Sequence, residues 1–229
     1  KARVMRIDSD VAGPAEEIAR VLQAVREREV DILVGTQMLS KGHDFAGVTL
    51  VCVLSADQGL YSLDFRGPER MFQQLAQVSG RAGRRESPGA VLVQTAHPEN
   101  SAFARLQQHD FAGYAKEVLM EREAAGYPPY VRFALMRAES TRAGAPMTFL
   151  RSAALAGEAV AYRKAVEIIA PVPSPMERRA GRFRAQLLVR SKDEHQFHCF
   201  LEDWVQGIES SRDAAAVRWS IDVDPQEMY

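Results

Sequence analysis

The first half of the chain sets short, unbroken apolar runs between amphipathic stretches. RVMRID (3–8), DILVGT (31–36), LVCVLSAD (50–57) and GAVLVQT (89–95) read as strands. Runs apolar at successive positions suit strands of a parallel sheet covered on both faces. PAEEIARVLQAVRERE (14–29) reads as a helix opened by Pro14, with acidic residues in its first turn. PERMFQQLAQVSG (68–80) is a second, with Met71, Leu75 and Val78 spaced to form one buried face.

A third helical stretch covers 101–126 and stops at GYPPY, where Gly126 can cap it and Pro128 and Pro129 cannot continue it. That break divides the chain into an expected domain over 1–126 and another over 127–229. The second has its own pattern: strands at 130–140, 167–174, 181–191 and 217–224, with helices near 147–165 and at 195–208. The order β-α-β-β-α-β is that of the ferredoxin-like split βαβ arrangement. Phe183, Ala185, Leu187 and Val189 alternate inward along one strand. Val217, Trp219, Ile221 and Val223 share a face of the last. Trp204, Trp219 and Tyr162 are expected to anchor the core.

Composition narrows the function classes. A 46% hydrophobic, 26% charged chain of 229 residues can bury a core, and it holds no apolar run long enough to span a membrane. Twenty-nine Lys and Arg balance 30 Asp and Glu, so any polyanion contact must come from local patches. Cys52 and Cys199 are far apart and read as buried free thiols. His195, His198 and Cys199 share a helix with a packing stripe, and no metal is assigned to them. An opening on Lys1, straight into a strand, reads as a piece of a longer protein.

GTQMLSKGHDF (35–45) begins where a strand ends, the edge at which open α/β sheets gather ligands. It lacks the spacing of a Walker phosphate loop, and no other stretch supplies one. Thr36 at a helix start and the mobile charge of Lys41 suit phosphates, and Asp44 can accept from a sugar hydroxyl or an arginine. A strand-to-helix turn with Gly42 at a special backbone angle fits the same residues.

QVSGRAGRR (77–85) places Arg81 and Arg84 on one side, with Gly80 and Gly83 clearing the approach to the backbone. Two guanidinium forks suit a phosphate chain, and Gln77 lies one turn earlier to orient water or an oxygen. A solvated basic helix end accounts for Arg84 and Arg85 but not for the glycines.

The segments 35–51 and 77–84 resemble the fifth and sixth motifs in the second motor lobe of superfamily 2 helicases. With DQGLYSLDFRGPER (57–70), GYPPY, APVPSPMERRAGRFRAQLLVR and IDVDP, the chain is similar to the PriA family of primosomal replication-restart helicases. The resemblance implies a RecA-like α/β lobe followed by a smaller α+β, ferredoxin-like or ribosomal-protein-like domain. It implies an ATP-dependent 3′-to-5′ DNA helicase of the bacterial cytoplasm and nucleoid. Single-stranded and forked DNA, primosome proteins and the acidic tail of single-stranded DNA-binding protein are its implied partners.

By that resemblance Arg84 is the arginine finger, Arg81 its companion, and Gln77 faces the nucleotide. Asp44 and Gly42 fall on the nucleotide side, while Thr36 and Lys41 track the single strand. Arg66 and Arg70 either contact DNA or pair within the lobe with Asp57, Asp64 or Glu69. ATP with Mg²⁺, and a zinc-binding insertion whose cysteines are absent here, belong to the full-length family. The chain alone is expected not to hydrolyse ATP.

In the second domain Arg182, Arg184, Gln186 and Arg190 share the outward face of a strand, with Arg178 and Arg179 in an approaching loop. So basic a run suits a polyanion or an acidic peptide, and an edge strand guarded by arginines fits as well. The resemblance assigns Arg182 and Gln186 to the acidic tail and Arg178, Arg179 and Arg184 to DNA. A non-enzymatic binding module and a duplex translocase remain the rival functions.

Overall fold

The computed structural model describes residues 1–7, 15–35, 48–80 and 89–228, with side chains from 19 onward in the first helix. The chain forms two compact units, Lys1–Ala115 and Lys116–Tyr229.

The first unit is built from two βαβ crossovers. β1 (Val4–Ile7) runs parallel to β2 (Ile32–Gly35), joined through helix α1 (Ala15–Arg26). β3 (Leu50–Val53) runs parallel to β4 (Ala90–Val93), joined through α2 (Asp57–Leu60) and α3 (Gly67–Ser79). The strands were expected to be covered on both faces. Instead Ile32, Val34, Leu50 and Leu92 are exposed. Among the described residues each sheet has only two four-residue strands, too few to enclose both faces. On α3, Met71 and Leu75 are buried as expected and Phe72 joins them, while Val78 is only partly covered.

The helix expected over 101–126 is two helices, α4 (Ser101–Gln107) and α5 (Phe111–Ala125). His109 takes a left-handed φ of 54° between them, and Asp110 accepts from Gly113 N–H at 2.8 Å, starting the second helix as a cap. Phe72 stacks on Tyr114 with centroids 3.9 Å apart, so the start of α5 packs within the first unit. Gly126 closes α5 at φ 68°.

The second unit runs β5 (Arg132–Ser140), α6 (Ala145–Glu158), β6 (Glu167–Ile168), β7 (Val172–Arg179), β8 (Arg182–Ser191), α7 (Glu194–Glu209) and β9 (Arg218–Val223). Its antiparallel sheet has the order β6-β8-β5-β9, with β7 also on β8. The first and last strands of the βαββαβ order are thus neighbours and the third lies beside the first, as in the ferredoxin-like arrangement.

Both helices pack on one face. Ala134, Met136, Ala185, Leu187 and Val189 from the sheet meet Phe149, Leu150, Phe197, Phe200 and Trp204. The Trp204 indole is fully buried and donates to the Ala153 carbonyl at 2.8 Å. Tyr162, expected in this core, is exposed at a left-handed φ of 65°. Cys52 is exposed and Cys199 half-buried, both free thiols, where buried thiols were expected.

Among the described residues no helix is long and apolar enough to cross a membrane.

Candidate functional site

In the first unit the connection between α2 and α3 is held from within. The Asp64 carboxylate is fully buried; one oxygen accepts from the Arg66 N–H at 3.0 Å, and the other lies 3.1 Å from Arg70 Nη1. The Arg70 contact is close enough for an ion pair but not aligned as a hydrogen bond. Arg70 therefore meets Asp64 within the unit, and the Arg66 guanidinium sits 4.7 Å from the Phe65 ring centroid. Glycines let this connection press down: a Cβ on Gly67 would meet Ser62 Cβ at 2.2 Å, and one on Gly59 would meet Met71 Cβ at 2.4 Å.

Beyond the ends of β3 and β4 a second set of polar groups gathers. Asp57 accepts from the Thr95 hydroxyl and from the Ala96 N–H, and these two bonds hold its carboxyl below the usual range. The Tyr61 hydroxyl lies 2.6 Å from His97 Nε2, and His97 Nδ1 lies 3.5 Å from Glu99.

Gln77 stands exposed in the last turn of α3, which ends at Gly80. Thr36, Lys41, Gly42, Asp44, Arg81 and Arg84 lie outside the described residues. The first of these segments begins directly after Gly35, at the C-terminal end of β2.

In the second unit Arg182, Arg184, Gln186 and Arg190 share the outer face of β8, each half-buried, while Ala185, Leu187 and Val189 face the helices. Arg178 and Arg179 were expected in a loop; they are paired residues of β7, with Arg179 opposite Arg182 and Arg178 opposite Phe183. Ala180 and Gly181, at φ 49° and 76°, make the two-residue hairpin turn between them. Arg178 reaches the Phe183 ring at 5.4 Å.

The sheet surrounds these arginines unevenly. Glu139 Oε1 lies 3.7 Å from Arg182 and 3.8 Å from Arg218, Arg190 pairs with Glu167 at 2.8 Å, and Arg137 pairs with Asp222 at 3.1 Å. Arg184 and Arg179 meet no carboxylate among the described residues. A shallow depression of about 200 Å³ is lined by Arg137, Glu139, Arg184, Arg218, Trp219 and Ser220. Beside it the buried Oε1 of Gln186 has no hydrogen-bond partner among the described residues. Arg182, Arg184 and Gln186 are thus brought onto one surface. Arg137, Glu139 and Arg218 join it through strand pairing alone, which no local sequence signal marks.

Comparison with known proteins assigns both units. Residues 1–86 match the model of the helicase conserved C-terminal domain, and residues 123–226 match that of the primosomal protein N C-terminal domain. The chain is PriA-like along its whole length. The replication restart protein PriA of Bacillus subtilis is 36% identical over 99% of this chain and 28% of its own length. That of Haemophilus influenzae is 34% identical over 98% of this chain and 30% of the relative, and that of Synechocystis 39% over 97% and 26%. The chain spans less than a third of each of these PriA relatives. Among the described residues no group of three His, Cys, Asp or Glu side chains could hold a metal ion.

Proposed function

We propose that the chain forms the second motor lobe and the trailing interaction domain of an ATP-dependent 3′-to-5′ DNA helicase that acts in replication restart. The observation that supports it is the succession of two helicase-related domain matches on one polypeptide, with PriA relatives aligned across nearly all of it. ATP with Mg²⁺ supplies the phosphoryl chemistry when bound, and the cradle for it belongs to another lobe, since no Walker spacing occurs here.

The chain's own part is charge and position. Arg84 and Arg81 meet the negative charge that spreads over the transferring phosphoryl group, with Gln77 orienting an oxygen or water. By the family resemblance Asp44 and Gly42 serve the nucleotide. Thr36 and Lys41 follow a strand end and contact the single-strand backbone. Arg70 is anchored by Asp64, so its part in the DNA track is to stiffen the connection, while Arg66 contacts the DNA backbone.

The second unit serves recognition. Arg184, Arg178 and Arg179 bind DNA phosphates, and Arg182 with Gln186 takes the acidic tail of single-stranded DNA-binding protein. The half-shared contact of Arg182 with Glu139, at 3.7 Å, is weak enough for an incoming carboxylate to replace. Gln186 Oε1, an acceptor with no donor among the described residues, suits an N–H of the bound tail rather than its carboxylate.

The division of labour is tested by assaying this chain alone for ATP hydrolysis with single-stranded DNA present. Background turnover is expected. Hydrolysis above background by the chain would overturn it.

A further inference from the structure

Tyr61 is a large aromatic side chain left 68% exposed, yet it is not loose. Its hydroxyl meets His97 Nε2 at 2.6 Å, and Glu99 at 3.5 Å from Nδ1 favours the tautomer in which Nε2 accepts from the tyrosine. At the other end, its backbone N–H donates to the Asp57 carbonyl at 3.2 Å, and Asp57 itself is fastened to Thr95 and Ala96. The tyrosine is pinned at both ends while its ring faces solvent.

The two rings cross at 68° with centroids 5.4 Å apart, an edge contact rather than a stack. His97 thus fixes the tyrosine without lying flat upon its face. Leu63, two residues on, is 81% exposed. The whole connection is stiffened beneath by the buried Asp64 and the close glycine contacts. It stands beyond the C-terminal ends of two parallel strands, the edge where such sheets take ligands. Arg66, five residues on, brings a cation into the same connection.

We propose that Tyr61, positioned by His97, is a stacking platform for an unpaired base of single-stranded nucleic acid. An aromatic face accepts any base, which suits a contact that must serve every sequence. A ring already fixed loses little side-chain freedom when a base lands on it, so the tether raises affinity without adding a contact. A nearby guanidinium suits the phosphate that accompanies each base. This assignment rests on the single-strand motor reading above and adds a residue pair to it.

The test mixes this chain with an oligothymidylate carrying 5-iodouracil, irradiates in the near ultraviolet, and locates the adducts by mass spectrometry. An adduct on Tyr61 is expected. Tyr61→Ala should weaken oligonucleotide binding about fivefold or more, and His97→Ala should lower the adduct yield on Tyr61 while leaving the unfolding midpoint in place. Tyr61→Phe, which keeps the ring and loses the tether, should fall between wild type and Tyr61→Ala. Adducts elsewhere in the chain with none on Tyr61 would overturn this assignment and leave the motor reading standing. No binding of the oligonucleotide at all would overturn both. Unchanged oligonucleotide binding by Tyr61→Ala, with loss of association to a separately added ATP-binding lobe, would assign the patch to protein docking and overturn it.

Discussion

Arg70 holds the fully buried carboxylate of Asp64 at 3.1 Å, and it is the guanidinium that approaches that charge. Removing it strands an anion in the interior. A fully buried pair costs about 3–5 kcal/mol to break from one side. Arg70 is a third exposed, so solvent recovers part of this and Arg70→Ala should cost on the order of 2 kcal/mol. Denaturant unfolding of the first unit measures it. Asp64→Asn in the Arg70→Ala background should restore part of the loss, because the orphaned charge is gone.

The β1–β2 pair has an acid-sensitive tie. Asp31 accepts from both the side chain and the backbone N–H of Arg3, which lowers its carboxyl from 3.8 to about 2. A depressed carboxyl contributes stability above its unfolded pKa and loses it as pH falls through the folded value. The contribution should be intact above about pH 4 and disappear toward about pH 2. Carbon chemical shifts of Asp31 should titrate near 2 in the wild type and move up toward the ordinary carboxylate range in Arg3→Ala.

In the second unit, a methyl group on Gly157 of α6 would crowd Ile168 of β6 and Trp204 of α7. A Cβ on Gly157 would stand 2.6 Å from Ile168 Cδ1 and 3.1 Å from Trp204 Nε1. Gly157→Ala should therefore destabilise by about 1–3 kcal/mol despite its better helix propensity. Trp204→Phe removes the donor to the Ala153 carbonyl and should cost about 1–3 kcal/mol plus a packing loss. Thermal unfolding reads both.

Much of this architecture could be read from residue patterns, and the failures share physical causes. Alternation at 185, 187 and 189 placed β8 and its outward arginines correctly, because a half-buried strand writes its faces directly into sequence, while Phe183, expected inward, is only half-buried near the hairpin end. Arg178 and Arg179 were read as a loop because the strand before them was expected to end at residue 174; it runs on past Pro173 and Pro175 to Arg179. The strand keeps both prolines by pairing with β8 alone and shifting register between residues 173 and 178.

The split of the long helix depended on His109 adopting a left-handed angle, which its side chain does not announce. The Tyr61–His97 pair joins residues 36 apart through the meeting of β3 and β4, and no local spacing marks it. Arg70 was placed between DNA contact and internal pairing, and only the fold brings it to Asp64.

Under the proposed function, the guanidiniums of Arg81 and Arg84 complete a nucleotide site. The most direct measurement is ATP turnover and DNA affinity of Arg84→Ala in the protein joined to its ATP-binding lobe. A loss of turnover of about 10³-fold or more, with DNA binding little changed, is the predicted result. Turnover intact while DNA affinity falls would contradict it and leave the chain a binding module.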